Sequence, residues 1–170
     1  AAPGENHKEK AKDLKTGDEV ELSYKADEPF SALVFKTVVD PFVGKLNLFK
    51  VMSGELTTGD SFFNVNKDET EKGSNIYLMR GKKQISVDKV VAGDIAAVAK
   101  LQHTVTGDSL CDQSNKIEFK AIKFPEPSIS LAIEAEKEGE EDKIFGGLNR
   151  LTEEDSTFTV EKNLETNQML

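Results

Sequence analysis

The sequence predicts an all-β barrel or sandwich over residues 29–123, followed by a smaller α+β unit. Three observations carry that. Short apolar, β-branched-rich runs follow one another from Pro29 to Lys123, separated by Gly, Asp and Asn turns and never by an amphipathic helix. Phe124-Pro-Glu-Pro127 then interrupts the chain with two prolines, which exclude a helix and favour an extended linker. Beyond it a single helical stripe appears, Ile144, Leu148 and Leu151, at i, i+4 and i+7.

Taken in order, residues 1–28 read as a Lys/Glu-rich tether with one half-exposed edge strand, Glu19 to Tyr24, whose residues alternate. Ser31 to Val39 is strand-like and ends at Asp40-Pro41. Leu46 to Met52 is apolar apart from Asn47 and Lys50, short for a helix and dense enough for a strand buried on both faces. Ser53-Gly54 breaks it, and Thr58-Gly59-Asp60 turns the chain into Ser61 to Val65. Asn66 to Asn75 reads as a polar hairpin tip. Ile76 to Met79 and Gln84 to Val87 flank a second tip, Arg80-Gly-Lys-Lys83. Asp94 to Leu101 has small side chains suited to close sheet packing, and Glu118 to Phe124 closes the series.

Four tripeptides, Thr16-Gly-Asp18, Thr58-Gly-Asp60, Ala92-Gly-Asp94 and Thr106-Gly-Asp108, each precede a strand-like run. Gly suits the strained turn position and Asp can accept from free backbone N–H groups nearby. One carboxylate per loop is too few for calcium, so these are read as corners. After the prolines, Ile129, Leu131 and Ile133 alternate as a strand should, a helix is expected over Glu138 to Thr152, Phe158 and Val160 suggest another strand, and Met169-Leu170 a third. That β-α-β-β order is the front of a ferredoxin-like split unit, cut short. Glu138, Glu140, Glu141 and Asp142 suit the positive end of the helix dipole, whereas Gly146-Gly147 weakens the helix by up to roughly 2 kcal/mol against alanine.

Bulk properties narrow the function. Hydrophobic residues make up 37% and charged residues 31% of 170 residues, and no run approaches the length of a membrane span. The first residues lack the apolar core of a signal peptide, and the single cysteine, Cys111, permits no internal disulfide, which suits a reducing, cytoplasmic setting. The net charge of −9 is unevenly spread: −3 over 1–28, +2 over 29–123 and −8 over 124–170. A mildly basic middle between acidic flanks is compatible with phosphate contacts but falls far short of an autonomous RNA-binding domain.

The order of motifs is more telling than any one of them. Asp40-Pro-Phe-Val-Gly-Lys-Leu46, Val51-x-Ser-Gly-x-Leu56, Ala92-Gly-Asp-Ile-Ala-Ala-Val98, Thr106-Gly-Asp-Ser-Leu110, Phe124-Pro-Glu-Pro127 and Leu151-Thr-Glu-Glu-Asp-Ser-Thr-Phe158 occur in that sequence. Over about residues 29–165 the chain resembles elongation factor G and its relatives among the translational GTPases. The resemblance implies a translation-factor, Greek-key-like barrel (domain II) at 29–123 and the start of a ferredoxin-like domain III at 124–170, with residues 1–28 linking back to an absent GTP-binding domain. Ser156 and Asn167 stand where the family usually has Pro and Gly, which fits a divergent paralogue or a ribosomal-protection-type factor.

The resemblance further implies that the barrel rests on small-subunit ribosomal RNA and packs against the GTP-binding domain. Candidate RNA contacts are Lys45, at a strand start, and Arg80, Lys82 and Lys83 on one tip, since tips that project cations position a protein on phosphates without reading sequence. Candidate packing residues against the GTP-binding domain are Asp40, Pro41, Phe42 and Gly44. No phosphate-cradling G-x-x-x-x-G-K-[ST] loop occurs, and Asn66-Lys-Asp-Glu69 ends in Glu where a guanine-reading motif has Asp. This chain is therefore expected to be non-catalytic, with no metal or cofactor of its own. GTP and magnesium belong to the full-length parent. No membrane or DNA partner is expected. Cys111 beside His103 is read as packing rather than a nucleophile. The alternative reading is a free-standing OB-like barrel binding single-stranded nucleic acid, which needs exposed aromatics in a basic groove. Trp is absent and Tyr occurs twice.

Overall fold

The computed structural model describes residues 8–81, 83–135, 137 and 139–161. Two compact units divide at 122/123. In the first, thirteen strands run in chain order among the described residues: β1 (Glu9–Asp13), β2 (Glu19–Leu22), β3 (Ser31–Asp40), β4 (Gly44–Ser53), β5 (Glu55–Thr57), β6 (Ser61–Asn64), β7 (Glu69–Lys72), β8 (Ile76–Arg80), β9 (Lys83–Val87), β10 (Lys89–Val91), β11 (Ile95–Ala99), β12 (Ser109–Cys111) and β13 (Ile117–Phe119). The main sheet has the order β7-β6-β12-β3-β4-β11-β8-β9, and every pairing in it is antiparallel. It wraps around a core of Phe30, Ala32, Val34, Phe49, Val51, Phe62, Ile76, Ala96, Val98 and Leu110, and the directly paired Leu56 and Val90 of the β5–β10 ladder cover the same core. This is the barrel.

β4 explains why an uninterrupted apolar run works here. Phe49 and Val51 face the interior, while Leu46 and Leu48 join Ala97 and Ala99 in a separate outer cluster with Val43, Tyr77 and Met79. Burial on both faces needs a second layer, and Val43 of the β3–β4 tip, with Tyr77 and Met79 of β8, contributes to it.

The first residues differ from the expected tether. β1 lies between β13 and β2 in a three-stranded sheet, and Ala11, Leu22, Ile117 and Phe119 pack onto Met52, Phe63 and Cys111 of the barrel. β1 is polar apart from Ala11 because only one of its faces is covered, which hides it from an apolar-run criterion. The same reason hides β7 inside the expected polar tip at 66–75. β5 and β10 are too short to announce themselves, and the last strand of the unit is Ile117–Phe119 rather than 118–124, paired with β1 and not with the main sheet.

Gly54 fixes a corner between layers. Its φ is +71°, and a Cβ there would lie 2.6 Å from Glu28 O and from Phe30 N and Cα. Only glycine fits both the conformation and the approach. The Gly-Asp corners share one construction in three of four cases. Gly59, Gly93 and Gly107 have φ of +96°, +97° and +97°, as the third residue of a type II turn requires. The next residue, Asp60, Asp94 or Asp108, donates its N–H to Thr57, Val91 or Val105 O at 3.0, 3.0 and 3.2 Å. The same Asp accepts at Oδ2 from the N–H of that first residue at 3.0, 3.0 and 2.9 Å. Asp18 instead donates its N–H to Thr16 Oγ1.

In the second unit, the helix α1 (Glu141–Glu154) forms, with Glu141 and Asp142 in its first turn and no buried residue. Glu138, where the sequence pattern starts the helix, lies outside the described residues. The expected strand at 129–133 is not formed beyond an isolated bridge at Ile133, and 158–160 is irregular. Ile129 is 81% and Leu131 73% exposed. Alternation marks a side-chain preference, but a strand needs a neighbour to take its backbone bonds, and none of sufficient length lies beside 129–133 among the described residues. Met169-Leu170 lies outside the described residues.

Candidate functional site

Two hairpin tips hold the sequence candidates. In the β3–β4 tip, Asp40 Oδ1 accepts from Phe42 N at 2.8 Å and Val43 N at 2.9 Å. Pro41 fixes its own φ and brings no N–H to satisfy, and Gly44 closes the tip at φ +83°. Val43 tucks onto the outer cluster. Phe42 is left 95% exposed. In the β8–β9 tip, Arg80 pairs with Lys83 across a turn that begins at Gly81, φ +61°, the positive value that tight hairpin turns select. Lys82 lies outside the described residues.

A hydrogen bond joins the tips: Gln84 Nε2 donates to Asp40 Oδ2 at 2.8 Å across 44 residues of sequence. The N–H groups of Val43 and Phe42, with the Gln84 amide, hold the Asp40 carboxyl below the ordinary carboxylate range. Asp40, the one acidic side chain of the two tips, thus spends both oxygens internally. Arg80 and Lys83 are exposed and Lys45 half-buried, and among the described residues none of the three is in an ion pair. Of the other lysines, Lys8, Lys10, Lys50, Lys89, Lys116 and Lys143 are paired with a carboxylate.

A second polar construction, missed from the sequence, pins the loop between β11 and β12. Glu71 of β7, nearly fully buried, accepts from the N–H groups of Gln102, His103 and Thr104 at 2.7, 3.0 and 2.8 Å and from Thr104 Oγ1 at 2.6 Å. Burial pushes its carboxyl up, but these four donors outweigh it and hold the group below its ordinary value. Asn64 Nδ2 donates to Thr104 Oγ1 and Asp108 Oδ2, and Asn47 Nδ2 to Thr37 Oγ1 and Thr104 O. A Glu within a polar run gives no sequence signal of burial; only the topology brings three successive N–H groups to it.

The remaining candidates have structural roles. Cys111 is fully buried, and burial pushes its thiol up, away from a reactive thiolate. Asn66 accepts from Ser109 N at 2.7 Å and donates from Nδ2 to Glu118 Oε1 at 3.3 Å, so both ends of its amide are used within the chain. Five phenylalanines, Phe30, Phe49, Phe62, Phe63 and Phe119, are core residues. Among the described residues no cluster of three or more His, Cys, Asp or Glu is placed to hold a metal, and no helix is long and apolar enough to cross a membrane.

Comparisons with known proteins agree with this architecture. Residues 29–113 match the family model of elongation factor G domain 2, and residues 124–170 match that of elongation factor G domain III. Among solved structures, a crystal structure of a protein from Thermus thermophilus is similar at a TM-score of 0.73 and 28% identity. The similarity covers 84% of this chain and 22% of that one. A free-standing OB-like barrel is not favoured by these matches. The chain belongs to the elongation factor G family, and it holds a translation-factor β-barrel, domain 2, followed by sequence of the ferredoxin-like domain III.

Proposed function

We propose that this chain is the ribosome-docking and conformational-relay part of a longer elongation factor G-like protein, and that it catalyses nothing itself. The barrel rests on small-subunit ribosomal RNA through Lys45, Arg80, Lys82 and Lys83, and the following unit relays the nucleotide state of a GTP-binding domain carried elsewhere in the protein. GTP with magnesium, and either translocation or ribosome protection in the cytoplasm, belong to that whole protein. The observation that carries this reading is the joined pair of tips, which offers cations with no competing carboxylate while the rest of the chain is acidic.

The test is fluorescence anisotropy of the labelled chain with purified small ribosomal subunits, with the GTP-binding domain supplied, over rising potassium chloride. Binding that weakens with salt and is lost on reversing the charges of Arg80, Lys82 and Lys83 supports docking. Binding indifferent to both contradicts it.

A further inference from the structure

We infer that Phe42 is a stacking platform for an unpaired nucleotide, and that it belongs with Lys45, Arg80 and Lys83 to one RNA-facing surface. The inference rests on the docking reading and reassigns the Asp40–Gly44 tip from packing against the GTP-binding domain.

Four features point this way. The chain buries half of its ten phenylalanines in the core yet holds Phe42 95% in solvent. The ring stands on a fixed base: two N–H bonds to Asp40, a proline, a packed Val43 and the Gln84 strut. A pre-ordered aromatic loses little freedom on stacking. The strut places the ring's tip beside Arg80 and Lys83, and the only carboxylate of the two tips is already occupied. A cationic setting around a lone aromatic suits a base whose phosphates lie alongside. A protein-packing face would instead gather several apolar side chains, and here Val43 has already turned inward. Paired RNA offers no free ring face, so the ligand is a nucleotide splayed out of a loop or bulge.

The experiment uses the same small-subunit assay with Phe42→Ala, Phe42→Leu, Phe42→Trp and Arg80→Ala, each checked by thermal melting. Photocrosslinking from p-benzoylphenylalanine at position 42 adds a direct readout. Stacking predicts that Phe42→Ala and Phe42→Leu both weaken binding by roughly 5- to 150-fold and that Phe42→Trp retains it. The salt slope falls by about 1 only in Arg80→Ala. The crosslink goes to RNA at an unpaired nucleotide. Wild-type affinity in Phe42→Leu, or a crosslink to protein, overturns the proposal in favour of packing. If Arg80→Ala weakens binding while Phe42→Ala does not, stacking alone falls. If neither changes binding, docking through this face falls with it.

Discussion

The barrel unit and the unit that follows treat the same kinds of residue in opposite ways. In β3 and β4, alternating and apolar residues find partners on both sides, and Ala32, Val34, Leu46, Phe49 and Val51 are fully buried. In 129–133, an equally good alternation leaves Ile129 and Leu131 mostly in solvent, and no described residue from 123 to 161 is buried. Amphipathic pattern is thus a necessary condition whose outcome depends on available neighbours. Polar groups show the same contrast. Glu71 in the first unit is buried with both oxygens bonded, and buried Asp108 accepts two bonds at Oδ2, whereas Asp155 in the second only closes a local turn on Thr157.

The sharpest way to break the contrast is at Gly54. Gly54→Ala forces a side chain into left-handed backbone and against Phe30, so the barrel should lose about 2–5 kcal/mol. Thermal melting of barrel signals should show that loss, while helical signal from α1 stays. An equal loss in α1 would mean that the units do not fold separately.

Glu71 comes next. Glu71→Ala strands three backbone donors and should cost about 2–4 kcal/mol. Because the folded carboxyl titrates below its unfolded value near 4.3, the unfolded chain holds more protons just below that pH. Its contribution is therefore complete above pH about 4.3 and is lost as pH falls through the folded value. Acid-unfolding curves of wild type and Glu71→Gln should converge at low pH and separate above that window. Curves that stay parallel throughout would contradict this.

The corner aspartates sharpen the comparison at smaller scale. Asp60→Ala removes one accepted N–H bond in an exposed turn and should cost about 1 kcal/mol. Asp108→Ala also strips buried Asn64 of a partner and should cost more. Denaturant midpoints of the two variants decide the order.

In the second unit the sign reverses. A methyl group added at Gly146 or Gly147 would meet nothing within 4 Å. Each change to Ala should therefore stabilise α1 by up to about 1 kcal/mol. Far-UV circular dichroism should show more helix with the barrel melting unchanged.

Much of the barrel could be read from its residues, because β3, β4, β6, β8, β9 and β11 are rich in apolar or β-branched residues and all but β11 end at or next to Gly, Asp or Asn. The Gly-Asp corners were legible for the same reason: a positive φ and a short acceptor leave few alternatives. β1 and β7 were not, since a strand with one wet face can be almost wholly polar. At the candidate site Arg80–Lys83 was visible as a hairpin tip and Asp40-Pro41 only as the end of a strand; their union was not visible. It depends on Asp40 meeting Gln84, a tertiary event with no local signature.

Docking requires the two tips to form one face. Hydrogen exchange of the chain, with and without purified small ribosomal subunits and with the GTP-binding domain supplied in both samples, measures that directly. Docking through the joined tips should slow exchange on binding at residues 40–45 and 80–84 together. Slowing confined to the β1–β2 sheet or to residues 123–161, with both tips unchanged, would contradict it.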